Sequence, residues 1–312
     1  MPKGIQDISR RKLRLRTALC ILVPSYLAMG AYFWSIQDHA ILKPLKAIAK
    51  TPADLVPPLP YEEVEISTKQ LAVHGFWLPS SSEAPVALYL HGQDATIGKN
   101  LEHAECLNQL GCNVLVIDYR GFGETFGKMV PSESSVYHDA EVAWDYLTTT
   151  RDFAPERILI YGHSLGGAIA IELATRHPEA GGLVAESAFT SVKDMARWKH
   201  PVTHLLPLDL LLRHRFDSIE KIQRKETPPV LYIHGTADSK VPCFMCEQLH
   251  DAASGPDKDM LLIKDGEHAK RGSGQTTYRA KLAAFINRCF GPSPERGIPP
   301  VDWKVALPIS VL

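Results

Sequence analysis

The sequence has almost no net charge. Its 34 lysines and arginines face 35 aspartates and glutamates over 312 residues, a formal charge of -1. A chain so balanced offers no electrostatic reason to bind nucleic acid. Charged residues make up 22% and apolar ones 45%, proportions of a globular protein that exclude a disordered one. No internal repeat is present. The six cysteines, Cys20, Cys106, Cys112, Cys243, Cys246 and Cys289, follow neither a disulfide-scaffold nor a zinc-site spacing. Cys243-Phe-Met-Cys246 has the C-x-x-C spacing of a redox pair. It follows "HGTADSKVP" rather than a thioredoxin-type context, and is read as two helix residues.

Charge is also missing from one long run. "TALCILVPSYLAMGAYFWSIQ", residues 17–37, contains no ionisable acid or base of the Asp, Glu, Lys or Arg type. About 20 apolar residues suffice to cross the hydrocarbon core of a bilayer. The basic residues Lys3, Arg10, Arg11, Lys12, Arg14 and Arg16 precede it against a single acid, Asp7. That asymmetry keeps an N-terminus on the cytoplasmic side, and Tyr32, Phe33 and Trp34 suit the far interface. The expectation is an uncleaved signal anchor with the rest of the chain on the non-cytoplasmic side. The alternative is secretion after cleavage near Ala28-Met29-Gly30, a small-x-small pattern.

What remains is long enough for one large α/β domain. Residues 1–16 form the basic segment, 17–37 the span and 38–60 a linker, whose "KTPADLVPPLP" holds neither a helix nor a central strand. A domain is expected over residues 61–290, followed by a proline-rich tail, 291–312. "YEEVEIS" and "LAVHGFWLP" alternate like two half-exposed antiparallel strands. After them come short apolar runs separated by helical stretches: "VALYL", "VLVID", "ILIY", "GLVAE", "VLYIH" and "MLLIK". Such runs predict a mostly parallel sheet covered by helices on both faces.

Ligands of such sheets bind beyond the carboxyl ends of the strands, and the chemistry-bearing residues stand there. "ILIY" is followed by Gly162-His163-Ser164-Leu165-Gly166, a G-x-S-x-G pattern at a strand-to-helix junction. Small residues two before and two after the serine allow the tight turn that lifts its hydroxyl above the sheet. A serine needs a base to take its proton. His268 follows the last strand in a glycine-bounded loop, "DGEHAKRG". Asp238, just beyond "VLYIHG", can hold the imidazole in one tautomer, with Asp265 as the weaker alternative. His163 is expected to pack beside the turn. Backbone N–H groups of Leu165 and of Gln93, in the His91-Gly92-Gln93 loop, are the candidate oxyanion donors. The chain order Ser164, Asp238, His268 is that of the α/β-hydrolase fold.

"LYLHG", "VLVIDYRGFGET", "ILIYGHSLGGAIAIELA", "LVAESAFTSVKDMA", "RFDSIEKI", "VLYIHGTADSKVP" and "DGEHAK" together resemble the Bem46-like branch of the α/β-hydrolases, over residues 61–290. The resemblance implies a triad of Ser164, Asp238 and His268, an oxyanion hole at Gln93 and Leu165, and a nucleophile elbow at Gly162 and Gly166. It implies a serine esterase, lipase or acyl thioesterase acting on lipid or acylated protein, with no metal or organic cofactor needed. Gln93 stands where the branch often has asparagine. "GETFGKMVPSES" replaces its usual serine-glycine run, so the surface over residues 124–135 is expected to read a different substrate. Between the fourth and fifth parallel strands, "SVKDMARWKHPVTHLLPLDLLLRHRFDS" takes the place of a cap. Its leucines are either a helix covering the sheet or an apolar wall for an acyl chain. A serine peptidase of the same fold and an inactive anchored scaffold are the rival readings. The oligomeric state has no signature in the sequence.

Overall fold

The computed structural model describes residues 3–45, 48, 50–68, 72–93, 95–125, 131–268 and 276–292, with side chains from Arg16 onward. Residues 126–130, within the segment expected to read substrate, and residues 293–312 of the tail lie outside that description.

Eight strands form one sheet: β1 (Glu62–Ser67), β2 (Ala72–Leu78), β3 (Val86–Leu90), β4 (Asn113–Ile117), β5 (Ile158–His163), β6 (Gly182–Glu186), β7 (Val230–Gly235) and β8 (Lys258–Ile263). Their order is β1-β2-β4-β3-β5-β6-β7-β8. The first two are antiparallel to each other and β2 is antiparallel to β4, whereas every pairing from β4 to β8 is parallel. The continuous apolar character of β3 to β6 follows from burial on both faces. Strand side chains alternate between faces, so Leu88, Leu90, Ile158 and Ile160 enter one core cluster. Their neighbours Ala87, Tyr89, Leu159 and Tyr161 enter the other.

Nine helices accompany the sheet among the described residues. They are α1 (Lys3–Ile41), α2 (Leu101–Gln109), α3 (Glu133–Asp145), α4 (Leu165–Arg176), α5 (Val192–Lys199), α6 (Leu208–Leu211), α7 (Ser218–Arg224), α8 (Phe244–Ala252) and α9 (Thr276–Phe290). The first core face is filled by Val136, Ala140 and Ala143 of α3 with Ile169 and Leu173 of α4. Leu101, Ala104 and Leu107 of α2 fill the other, with Tyr278, Leu282, Phe285 and Ile286 of α9. The α9 spacing of four, seven and eight residues is one helical stripe. Cys243 immediately precedes α8 and Cys246 is buried within it; both are free thiols. Residues 50–60 hold only a 3₁₀ turn, Pro52–Asp54.

The region Arg16–Ile41 of α1 is long and apolar enough to cross a membrane. Leu19, Ile21, Leu22, Val23 and Leu27 of its first half are exposed, and there the Tyr26 hydroxyl donates to the Leu205 carbonyl (2.9 Å). Its second half packs more closely. Gln37 is buried, its amide nitrogen donating to the Leu211 carbonyl (3.1 Å) and its oxygen accepting from Arg213 N–H (2.7 Å). Asp38 accepts from Arg213 (3.0 Å) and pairs with His214 (2.8 Å). The helix is thereby fastened to the segment between β6 and β7.

Candidate active site

Ser164 stands between the last residue of β5 and the first of α4. It occupies the N-cap position, yet its side chain makes no capping hydrogen bond. Its backbone has φ 57° and ψ -118°, in the left-handed region that costs a residue with a Cβ about 1–3 kcal/mol. The surroundings hold it there. Its N–H donates to the Glu186 carbonyl at the end of the neighbouring strand (2.8 Å), and its own carbonyl accepts from Gly167 N–H (2.9 Å). The turn leaves no room for side chains at its two flanking glycines. A Cβ on Gly162 would lie 2.0 Å from the Gly166 carbonyl oxygen, and one on Gly166 would lie 2.0 Å from that of Leu90. The glycine spacing is therefore a packing requirement of strand against helix, and the serine is left half-buried with its hydroxyl uncommitted to the helix end.

Asp238 and His268 come together from the loops after β7 and β8. The His268 Nδ1 lies 2.7 Å from Asp238 Oδ2, and both residues are buried. A carboxylate can only accept, so the ring donates through Nδ1, leaving Nε2 as its basic nitrogen. Asp238 Oδ1 accepts from the N–H groups of Lys240 (2.8 Å) and Val241 (2.9 Å). His234 Nε2 lies 2.9 Å from the Val241 carbonyl and 3.3 Å from Asp238 Oδ2. Burial raises the Asp238 carboxyl, but hydrogen bonds from His234 and His268, the charge of His268 and the Val241 N–H outweigh it. They hold the group well below the usual carboxylate range. Asp265, the alternative, is exposed and takes no part in this pairing. His163 packs beside the turn, buried, with its ring 5.0 Å from that of His268.

Ser164, Leu165, Gln93 and His268 line one cavity of about 620 Å³. Leu165 is the first residue of α4, so its N–H has no carbonyl one turn earlier within the helix. Gln93 follows β3, and its side chain donates to the Ala40 carbonyl of α1 (2.7 Å). Phe189 and, from α5 and α6, Val192, Met195, Leu208 and Leu211 give the cavity an apolar wall. Of the cap leucines, Leu208, Leu211 and Leu212 line it, while Leu205 and Leu210 are exposed to the outside. Lys43, Lys99, Lys199 and Lys240 also line it, and no aspartate or glutamate does among the described residues.

Three parts of this site escape sequence reasoning. His234 supports Asp238 from inside β7, where its period marks it only as a buried strand residue. Below the serine, the Glu186 carboxylate is buried between His103 (2.9 Å) and the Tyr161 hydroxyl. Burial pushes Glu186 up, but His103, then His163 and Tyr161, outweigh it and hold the group well below its ordinary range. Phe33, Ile36, Ala40 and Ile41 of α1 form a side of the cavity. A transmembrane pattern gives no hint of that contact. Elsewhere Glu63, His74 and Glu124 bring one ligand atom each within 4.8 Å of one another, with both carboxylates exposed. That group has no share in the cavity.

Residues 82–208 match a family model described as serine aminopeptidase, S33. WAV2 of Arabidopsis thaliana, an α/β-hydrolase domain-containing protein, is 30% identical over 72% of this chain and 76% of its own. The chain belongs to the α/β-hydrolase family. Bem46 of Schizosaccharomyces pombe is 31% identical over 58% of this chain and 62% of that protein. Among solved structures, an esterase from Pyrococcus furiosus superposes with a TM-score of 0.65 at 22% identity, covering 80% of this chain and all of the esterase. That likeness is one of fold.

Proposed function

We propose that this α/β-hydrolase is a membrane-anchored serine hydrolase that cleaves carboxylic ester or thioester bonds of acyl, lipid-like substrates. The observation that carries the reading is the shared cavity. Ser164, held at positive φ at the start of α4, opens on the same space as His268, whose Nδ1 is bonded to Asp238 at 2.7 Å. In this reading His268 Nε2 takes the Ser164 proton as Oγ bonds to the substrate carbonyl carbon. The N–H groups of Gln93 and Leu165, with the positive end of α4, stabilise the oxyanion. The tetrahedral intermediate collapses as the C–O or C–S bond breaks, and His268 returns the proton to the leaving group. Water, deprotonated by the same nitrogen, then frees the acid and restores Ser164.

The wall residues favour an acyl group over a peptide. Phe189, Val192, Met195, Leu208 and Leu211 form an apolar wall along the cavity. Arg16–Ile41 serves as the anchor, with the basic N-terminus cytoplasmic and the domain on the opposite side. The Tyr26 hydroxyl, N-terminal to Ala28-Met29-Gly30, donates to the Leu205 carbonyl (2.9 Å), a contact that supports retention of the helix over release of a free, secreted domain. A fluorophosphonate probe tests the chemistry: labelling of the wild type and none of Ser164→Ala is expected, and an unlabelled but folded wild type refutes it. Protease added to the non-cytoplasmic side of sealed vesicles should digest the domain.

A further inference from the structure

The cap and the second half of α1 are one packed unit. The Tyr26 hydroxyl donates to the Leu205 carbonyl (2.9 Å), and Gly30 faces the Leu211 side chain. The Arg213 guanidinium lies 4.4 Å above the Trp34 ring, and Gln37 clamps Leu211 and Arg213. Tyr26, Gly30, Trp34 and Gln37 recur at three to four residues, so they share one face of the helix.

These contacts fall inside the apolar span that starts at Arg16. At 1.5 Å per residue Tyr26 is about 15 Å along the axis from Arg16, half the roughly 30 Å hydrocarbon thickness. Gln37 is about 32 Å along it, at the far boundary. A helix that crosses the bilayer from Arg16 must therefore carry whatever is fastened between Tyr26 and Gln37 into the distal leaflet. The fastened part is the cap.

Its surface and its backbone suit that place. Leu205 and Leu210 are 68% and 85% exposed, and Val202 and Trp198 are exposed beside them. Lipid would cover both leucines, together with Val202 and Trp198. Backbone groups in lipid need internal partners, and the cap supplies them. Leu206 N–H donates to Thr203, Leu208 to Leu206, Leu210 and Leu211 to Pro207, and Leu212 to Leu208. The exposed charge at Asp209 is paired with Lys193 (2.8 Å), and Arg213 with Asp38.

We infer that the cap, from Trp198 to Leu211, is embedded in the non-cytoplasmic leaflet, and that the cavity opens into that leaflet along the seam between α1 and the cap. The seam is lined by Phe33, Ile36 and Ala40 on one side and by Met195, Leu208 and Leu211 on the other. The substrate class follows: an amphiphile resident in the leaflet, its acyl chain along the seam and its scissile carbonyl at Ser164. Lys240, an exposed lysine of the lining outside the embedded stretch, favours an anionic head group. The inference rests on α1 as an anchor and Ser164 as the nucleophile.

The test uses the full chain in phosphatidylcholine vesicles, with and without lipid brominated on its acyl chains. Trp198 emission is isolated as the difference between the wild type and Trp198→Phe. For a segment lying within the acyl region of that leaflet, bromolipid should quench it about twofold. The Leu205→Glu/Leu210→Glu double variant should lower kcat/KM for a hexadecanoyl ester presented in vesicles, relative to an acetyl ester in solution, by roughly tenfold. An unquenched Trp198, or equal changes on both esters, overturns the inference. Probe labelling of Ser164 and resistance to carbonate extraction are read on the same samples. Loss of either strikes the proposed function, while normal values with an unquenched Trp198 strike only the embedding of the cap.

Discussion

Replacing Asp238 by asparagine probes the site at one atom. The aspartate Oδ2 accepts from His268 Nδ1, while Oδ1 accepts from Lys240 and Val241 N–H. Asparagine has one oxygen and one NH₂ group. With two backbone donors on one side, the amide oxygen is drawn there and the NH₂ group is left facing His268. The ring must then accept at Nδ1 and carry its proton on Nε2, the nitrogen that has to receive the serine proton. A wrong-tautomer histidine of this kind costs about 10⁴-fold in kcat, or roughly 5.5 kcal/mol in activation free energy. Stability changes much less, because both backbone donors keep their acceptor. The loss is the charge assistance of these bonds, about 1–2 kcal/mol, or roughly 2–8 °C in Tm. The assay is hydrolysis of a short acyl ester together with the rate of fluorophosphonate labelling, on protein shown to be folded by its melting curve. Asp265→Asn, an exposed residue outside the pairing, should leave both rates near wild type. A loss below tenfold in Asp238→Asn, or an equal loss in Asp265→Asn, refutes the reasoning.

Ser164→Gly should raise the Tm by about 2–4 °C while abolishing turnover, since relief of the φ 57° strain exceeds the entropic cost of glycine by about 1 kcal/mol. A lowered Tm would show that the serine is not strained. Glu186 carries a pH signature. Its carboxyl is held below its unfolded value, so its contribution to stability is complete above the ordinary glutamate range and is lost as pH falls through the folded value. Glu186→Gln should therefore flatten the fall in urea midpoint between about pH 5 and pH 3 relative to wild type. Parallel slopes would count against an ionised Glu186.

The readable parts of the site are those tied to local backbone geometry. Gly162 and Gly166 mark the turn around Ser164 because a side chain at either glycine would collide with the facing backbone. Asp238 and His268 are legible because a parallel sheet gathers its functional residues at the carboxyl ends of its strands. The alternation of β1 and the apolar runs of the parallel strands are likewise periodicities imposed by burial on one face or two. By contrast β2, expected to be half-exposed, is buried on both faces from Val73 to Leu78 because it lies between β1 and β4 in the sheet. His234 and Glu186 sit within apolar strands, where sequence shows a polar residue but not the partner it meets.

The run of uncharged residues at 17–37 fixes, by its length and composition alone, a helix able to cross a bilayer, just as the spacing around Ser164 fixes an elbow. That the same helix continues to Ile41, clamps the cap through Gln37 and lends Phe33, Ile36 and Ala40 to the cavity is decided only in three dimensions. Hydrophobicity records that a side chain avoids water. It does not record whether lipid, protein or substrate takes the water's place, because all three present the same apolar surface, and only the packing of distant segments separates them.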